Sequence, residues 1–114
     1  MIKVYIVGKY RGNTISEVRQ NIEAARKTAE ELWAAGFAVF CPHLNSAFMD
    51  GIVPDKNFLK GDIEWMKYTD IVVLLPEWES STGSINEIKE AIAMGIIILE
   101  KIKDGKYRMF EREV

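Results

Sequence analysis

Four acidic side chains are the first candidates for chemistry in this sequence: Asp62, Glu64, Asp70 and Glu87. A pair of carboxylates can break a glycosidic bond, because one attacks or stabilises the sugar cation while the other handles protons. The 114 residues include 17 acids, so pairs also arise by chance and most acids belong to the solvated surface. Glycosidic chemistry and an ordinary acidic surface are both open at this point.

Two loops carry residues suited to binding an anion. The first contains Gly8, Arg11 and Gly12 and lies between an apolar run and a helical pattern. Its glycines let backbone amides approach a ligand, and arginine can contact phosphate through two hydrogen bonds. The second loop offers hydroxyls and free amides before another helix, at Ser80–Ser84. A solvated arginine on a tight turn and simple N-capping explain the same residues.

Three further residues each have a functional and a structural explanation. Ser84 and Glu87 have the spacing of a helix capping box, so Glu87 is either a reactive carboxylate or part of a helix cap. The only histidine, His43, either contacts a ligand or is a satisfied structural side chain. Trp78 lies in a loop and could form the wall of a pocket, whereas Trp33 and Trp65 are predicted to serve mainly in packing.

Composition narrows the possible partners. No metal ion is predicted, since the lone His43 has no partner at C-x-x-C or H-E-x-x-H spacing, and glycosidic chemistry requires no organic cofactor. A net charge of -2 without a basic block argues against a nucleic-acid polymer. The longest apolar run, Gly95–Leu99, is too short to cross a membrane, and no signal-peptide layout is present. A single cysteine makes a cytoplasmic location the default expectation.

The strands and helices that position these residues are predicted from alternating sequence patterns. Apolar runs predict four buried strands and a fifth at an edge: Val4–Val7, Phe37–Phe40, Ile71–Leu75, Ile96–Leu99 and Tyr107–Phe110. Apolar spacings of three and four predict helices from a capping box at Thr14 and Glu17 to Gly36, over Phe58–Tyr68, and after Gly83. Residues 43–57 are predicted to form a long loop.

The alternation predicts one α/β domain over residues 1–114. We expect a doubly wound, flavodoxin- or Rossmann-like parallel sheet of four to five strands with helices on both faces. Right-handed crossovers place the strand-to-helix loops at one edge, where ligands of such sheets bind. Val4–Val7 and Ile71–Leu75 should be adjacent and central, which puts the crevice between loops 8–13 and 76–84.

Short motifs along the chain together resemble those of a known family. They are Val4–Gly8, Arg11-Gly12, Pro42–Asn45, Gly61-Asp62, Thr69-Asp70, Leu75–Trp78, Ser81-x-Gly83 and Glu87-x-x-x-Ala91. Over residues 2–100 the chain looks like the nucleoside 2-deoxyribosyltransferase-like superfamily, and most closely like its DUF4406 branch. The resemblance implies a five-stranded parallel sheet and an enzyme that cleaves or transfers at an N-glycosidic bond.

The resemblance also implies roles for particular residues. Glu87 would be the nucleophile, Asp62 its supporting acid, and Tyr5 a hydrogen-bond partner of Glu87. Ser81 stands where the transferases have an aspartate. Relatives that hydrolyse 2′-deoxynucleoside 5′-monophosphates also have a serine at this position. The implied substrate-binding residues are Gly8, Arg11, Gly12, Ser81 and Gly83 around the phosphate, with His43 and Trp78 facing the base.

The expected partner is therefore a small nucleotide, with no nucleic-acid polymer and no membrane. Relatives of this kind pair so that a neighbour completes the site, which implies a homodimer or a higher homo-oligomer. A different class of function also fits the same residues. In that alternative the domain binds or senses a nucleotide without turning it over, and Glu87 is only a helix cap.

Overall fold

Strands and helices alternate along residues 1–111, the part of the chain that this computed structural model describes. The strands are β1 (Lys3–Val7), β2 (Ala38–Phe40), β3 (Ile71–Leu74), β4 (Ile97–Lys103) and β5 (Lys106–Met109). The helices are α1 (Ile15–Ala34), α2 (Pro42–Asn45), α3 (Asp55–Met66) and α4 (Thr82–Ala93), with a 3-10 turn at Trp78–Ser80.

The strands form one sheet in the order β2-β1-β3-β4-β5. The first four are parallel, and β1 lies beside β3 with Tyr5 opposite Val72. The predicted doubly wound α/β fold and the adjacency of these two strands are confirmed. The fully parallel five-stranded sheet that the resemblance implied is wrong for β5, which is antiparallel to β4. The two strands are joined by a tight turn at Asp104 and Gly105, and a parallel crossover needs a far longer connection.

Successive residues of β1 pack on opposite faces of the sheet. Val4 and Ile6 join a core cluster under α1, with Ala25, Ala29, Leu32, Val73 and Leu75. Tyr5 and Val7 join a second cluster under α3 and α4, with Met66, Val72, Leu74, Ile88 and Ala91. This alternation follows from the two-residue period of a strand. It places the fully buried Tyr5 on the face that α4 covers.

The predicted capping box at the start of α1 is present. Thr14 Oγ1 accepts a hydrogen bond from the amide of Glu17 at 3.1 Å, and the Glu17 carboxylate accepts one from the amide of Thr14 at 3.2 Å. The helix ends where predicted, because Gly36 follows it with a φ of 97° that an L side chain rarely adopts. The local signals at both ends of α1 were therefore sufficient to define it.

The prediction of a continuous loop over residues 43–57 is wrong in part. Pro42 begins the single helical turn of α2, and α3 begins at Asp55 rather than at Phe58. Proline favours the start of a helix because its φ is already restricted and its missing amide is not needed there. The true loop is therefore shorter, from Ser46 to Pro54.

Two tryptophans predicted to serve mainly in packing are more exposed than expected. Trp33 is 54% exposed and Trp65 is 57% exposed. One face of Trp65 still stacks on Phe40, with 5.5 Å between ring centroids. The Trp65 ring therefore packs through one face, while more than half of each tryptophan remains in solvent. Within residues 1–111, no helix combines the length and hydropathy needed to cross a membrane.

Candidate active site

A cleft of about 790 Å³ opens beyond the C-terminal ends of the central strands. It lies between the loop after β1 and the N-terminal half of α4, with α2 and α3 along the other side. The lining includes Gly8, Tyr10, Arg11, His43, Asp50, Asp55, Phe58, Leu59, Asp62, Ser81, Gly83 and Glu87. The crevice predicted between loops 8–13 and 76–84 is where this cleft lies.

Tyr5 and Glu87 form a buried hydrogen-bonded pair at the wall of the cleft. The hydroxyl of Tyr5 donates to Oε2 of Glu87, although 82 positions separate the two residues in sequence. Burial, followed by the nearby charge of Glu87, raises the pKa of Tyr5 and keeps its hydroxyl protonated as a donor. The second carboxyl oxygen of Glu87, Oε1, is not engaged by Tyr5, and Glu87 lines the cleft.

The carboxyl group of Glu87 differs from that of a surface acid in its burial and in its raised pKa. Only 8% of the residue is exposed, and this burial raises its pKa to about 8. The hydrogen bond from Tyr5 opposes that rise, while negative charge on Asp62 adds to it. Perturbed carboxyls of this kind in a cleft are typical of sites that do chemistry.

Asp62 is the second carboxyl of the site, and it is partly buried on α3. Burial raises its pKa to about 6, and its charge acts on both Glu87 and Tyr5. The two acids are therefore coupled, and their titration belongs to the pair rather than to either residue. Between about pH 6 and pH 8 the pair holds one proton.

Glu87 does not cap its helix. The N-cap of α4 is Ser81, whose Oγ accepts a hydrogen bond from the amide of Ser84 at 3.1 Å. Ser84 thus lies inside the first turn, and the capping box that its spacing from Glu87 allowed does not form. The structural explanation of Glu87 that the sequence left open is absent, and its carboxyl group faces Tyr5 instead.

The N-terminus of α4 forms one end of the cleft. Ser81 and Gly83 both line it, and a Cβ on Gly83 would meet nothing nearer than Ser81 Oγ at 4.0 Å. The backbone is therefore accessible on the cleft side, where the first amides of a helix favour an anion. Gly8 also lines the cleft, and a Cβ there would lie 2.5 Å from Leu75 Cδ1. Only glycine allows this loop to pack so closely.

Gly12 does not line the cleft, in contrast to its predicted role in substrate binding. A Cβ on Gly12 would lie 2.5 Å from the Cβ of Glu17, the residue that completes the capping box of α1. The requirement for glycine here comes from the start of the helix. The cleft therefore supplies no reason to assign Gly12 to a ligand.

Arg11 reaches the cleft but already has partners there. Its guanidinium forms an ion pair with Asp55 and lies 3.8 Å from Asp50 Oδ2. The side chain is 63% exposed, so these pairs are in contact with water. An anion that binds Arg11 must share it with these carboxylates or displace them.

His43 lines the cleft as a buried side chain, whereas Trp78, which was also predicted to face the base, lies outside the cleft lining. His43 is 4% exposed, and its Nε2 donates to the carbonyl oxygen of Lys9 at 3.1 Å. Burial lowers its pKa, so the neutral ring holds the loop after β1 in place. Trp78 does not line the cleft: its indole donates to Glu100 Oε2 at 3.3 Å, and its ring packs edge-on against Phe110 at 5.6 Å.

Several lining residues were not predicted from the sequence. Asp55, Phe58 and Leu59 lie at helical spacing along one side of α3 and line the cleft together with the predicted Asp62. This spacing is visible in the sequence, but the late predicted start of the helix hid its first turn. Tyr10 and Asp50 had no local signal, because their contact joins two loops that are distant in sequence.

The arrangement offers three kinds of chemistry in one cleft. The coupled carboxyl pair can supply a nucleophile and transfer a proton. The N-terminus of α4, together with Arg11, can bind an anion, and Phe58 and Leu59 offer apolar surface. Among residues 1–111, no three side chains of His, Cys, Asp or Glu lie close enough together to hold a metal ion.

The solved structures with a similar fold include two deoxyribosyltransferases. The 2-deoxyribosyltransferase from the psychrotolerant bacterium Bacillus psychrosaccharolyticus aligns with a TM-score of 0.66 and 18% identity, over 86% of this chain and 70% of its own. The 2-desoxiribosyltransferase from Leishmania mexicana aligns with a TM-score of 0.63 and 15% identity, over 88% of this chain and 63% of its own. The class is thus a doubly wound α/β protein with the 2-deoxyribosyltransferase fold.

The chain belongs to the DUF4406 family, described as a domain of unknown function, whose family model matches residues 2–100. The resemblance to the DUF4406 branch that the motifs of the sequence indicated is thereby confirmed. No curated protein matches the sequence.

Proposed function

We propose that this protein cleaves, or transfers at, the N-glycosidic bond of a 2′-deoxynucleoside 5′-monophosphate. The observation that carries the proposal is the buried Tyr5–Glu87 pair, coupled to Asp62, in a cleft that ends at the N-terminus of α4. Carboxyl pairs are the usual catalysts of glycoside cleavage. The likeness in fold to 2-deoxyribosyltransferases supports the same class of reaction.

In the proposed reaction Glu87 is the nucleophile. Its Oε1 attacks C1′ of the deoxyribose, a C1′–O bond forms, and the C1′–N bond breaks with its electron pair passing to the base. Asp62 gives the departing base a proton, and Tyr5 keeps Glu87 oriented through Oε2. Water, or a second base, then attacks C1′ and releases Glu87. The carboxylate at Asp62 accepts the proton of that attacking group.

The base is proposed to pack beside Asp62. A group that protonates the base must lie within hydrogen-bond reach of it, and Phe58 and Leu59 line the cleft one helical turn before Asp62. These two apolar side chains suit the faces of a base. His43 contributes by holding the loop after β1, and Trp78 has no part in this proposed subsite.

The phosphate is proposed to bind between Arg11 and the first turn of α4. Ser81 and Gly83 line this end of the cleft, and the helix N-terminus favours negative charge. Glu87 lies six residues after Ser81, about 9 Å along the helix axis. A nucleotide extended along α4 can therefore place its sugar near Glu87 while its phosphate meets the N-terminus.

One observation favours the alternative of a nucleotide-binding module without turnover. The pKa of Glu87 near 8 leaves the coupled pair with one proton at neutral pH, and a protonated Glu87 cannot attack. If that proton stays on Glu87 in the complex, the cleft binds its ligand and releases nothing. Turnover separates the two functions.

The test is a panel of the four common 2′-deoxynucleoside 5′-monophosphates and their nucleosides. We expect chromatography to detect free base from at least one monophosphate, at a rate proportional to enzyme concentration. Calorimetry on the same ligands supplies the control for binding. Binding without any released base would reject the enzymatic proposal in favour of the nucleotide-binding module.

The coupled pair predicts a bell-shaped pH dependence. The active form needs one proton on the pair, so kcat/KM should rise as pH increases through about 6 and fall as it passes about 8. Below that window both acids are protonated and no nucleophile exists; above it both are ionised and none can donate. Initial rates from pH 5 to pH 9 measure this. A kcat/KM that stays flat from pH 5 to pH 9 would contradict the assignment.

Assembly into a homodimer or higher oligomer is also proposed. Trp65 on α3 and Tyr68 in the turn that follows this helix are 57% and 74% exposed, which leaves apolar surface that association would bury. Light scattering at micromolar concentration should give a mass of at least twice the 13.0 kDa chain. A mass near 13.0 kDa at that concentration would show a monomer.

A further inference from the structure

The carboxylates around Arg11 are held by more than the arginine itself. Asp50 Oδ1 accepts a hydrogen bond from the hydroxyl of Tyr10 at 2.7 Å, and that hydroxyl accepts one from the amide of Phe48 at 3.1 Å. Asp55 is fixed differently, as the first residue of α3. Two carboxylates that are held by different parts of the structure therefore pair with one guanidinium in the cleft. We refer to Asp50 and Asp55 as the carboxylate pair.

A phosphate bound to Arg11 would lie next to the carboxylate pair. One guanidinium carries a single positive charge, and it cannot compensate two carboxylates and a dianion together. The side chains of Arg11, Asp50 and Asp55 are 63%, 42% and 66% exposed. Exposed ion pairs are weak, so a phosphate can displace a carboxylate from Arg11 at modest cost.

Displacement is easier for Asp55 than for Asp50. Asp55 lies in the first turn of α3, where the positive end of the helix stabilises its charge after Arg11 has turned away. Asp50 keeps its hydrogen bond from Tyr10 and remains near the bound phosphate. Each further phosphate group on a ligand adds negative charge in a cleft that already holds these carboxylates.

We propose that Asp50 and Asp55 are specificity-determining residues, which compete with the ligand phosphate for Arg11 and so select a single phosphate over a diphosphate or triphosphate. The proposal rests on the phosphate site of the proposed function. It assigns the carboxylate pair a role in rejecting ligands of higher charge, while Ser81, Gly83 and Arg11 attract the first phosphate.

The test measures binding of 2′-deoxyadenosine 5′-mono-, di- and triphosphate by calorimetry, in a Glu87→Gln background so that no ligand is consumed. Asp55→Asn should tighten monophosphate binding about two- to fivefold, and Asp50→Asn with Asp55→Asn about five- to tenfold. The triphosphate should gain more than the monophosphate. These gains should shrink as salt is raised, since the charges are exposed.

The matched control is Glu64→Gln, which removes one charge from α3 at an exposed pair with Lys67 outside the cleft. It should leave all three affinities unchanged. Unchanged or weaker monophosphate binding by Asp55→Asn, or equal gains for monophosphate and triphosphate, would overturn the proposal. Because binding is read without turnover, failure to release base counts only against the enzymatic function. Failure of Arg11→Ala to weaken monophosphate binding counts against the phosphate site itself.

Discussion

Replacing Glu87 with glutamine is expected to lower turnover of the best monophosphate by at least about 10⁴-fold. Glutamine has nearly the same shape and keeps an oxygen that can accept the hydrogen bond from Tyr5, but it cannot form the bond to C1′. Ligand binding should persist, since neither Arg11 nor the α4 N-terminus is altered. Initial rates and calorimetry on the same preparation separate these effects.

The same substitution should stabilise the fold at neutral and alkaline pH. Folding raises the pKa of Glu87 from 4.5 to about 8, so the native protein loses stability as pH rises between these values. Glutamine has no such titration. The melting temperature of Glu87→Gln should therefore exceed that of the parent at pH 8, and the difference should shrink toward pH 4.5. A gain in stability with a loss of activity is typical of a catalytic group.

The control for this prediction is Glu90→Gln, on the same helix and outside the cleft lining. It makes the same change in charge and should leave turnover within about twofold. Turnover by Glu87→Gln at more than about a tenth of the parental rate would remove Glu87 as the nucleophile.

The second large effect concerns the phosphate. We expect kcat/KM for a monophosphate to exceed that for its nucleoside by about 10²- to 10⁴-fold, because hydrogen bonds to a charged group contribute about 1.5–3 kcal/mol each and at least two are available. The donors are the first amides of α4, the hydroxyl of Ser81 and the guanidinium of Arg11. An uncharged hydroxymethyl group cannot engage them to the same extent.

Arg11→Ala should lower kcat/KM for the monophosphate by about 10- to 100-fold and leave that for the nucleoside within about twofold. Part of the preference should survive, because Ser81 and the α4 amides remain. Arg26→Ala is the control: this arginine pairs with Glu23 and Glu30 on the surface of α1. Equal efficiencies for monophosphate and nucleoside in the unmutated protein would refute the phosphate site and favour a nucleoside substrate.

Local patterns predicted most of the framework. The apolar runs of β1 and β3 indicate buried parallel strands, since nothing polar interrupts them. The capping box at Thr14 defined the start of α1 because all its partners lie within one turn. The direction of β5 and the early start of α3 were not predicted. The two-residue turn at Asp104 and Gly105 makes β5 antiparallel to β4, and Pro54 precedes the first residue of α3.

The sequence also determined which residues reach one edge of the sheet. Tyr5, Asp62 and Glu87 lie in short motifs that carry the family resemblance, and the fold brings their segments together. Whether Glu87 capped a helix or faced a partner was open, because its spacing from Ser84 satisfied both. The earlier N-cap at Ser81 decided it by leaving the carboxyl group of Glu87 free to meet Tyr5.

The surroundings of individual side chains depended on tertiary structure alone. Trp78 donates a hydrogen bond to Glu100, and His43 is buried against the loop after β1. Arg11 forms ion pairs with the carboxylate pair. Strand and helix periods arise from contacts within a few residues, so they can be recognised in the sequence. Burial, ion pairing and the raised pKa of Glu87 arise between segments that are far apart in the chain, and only the packed fold brings those segments into contact.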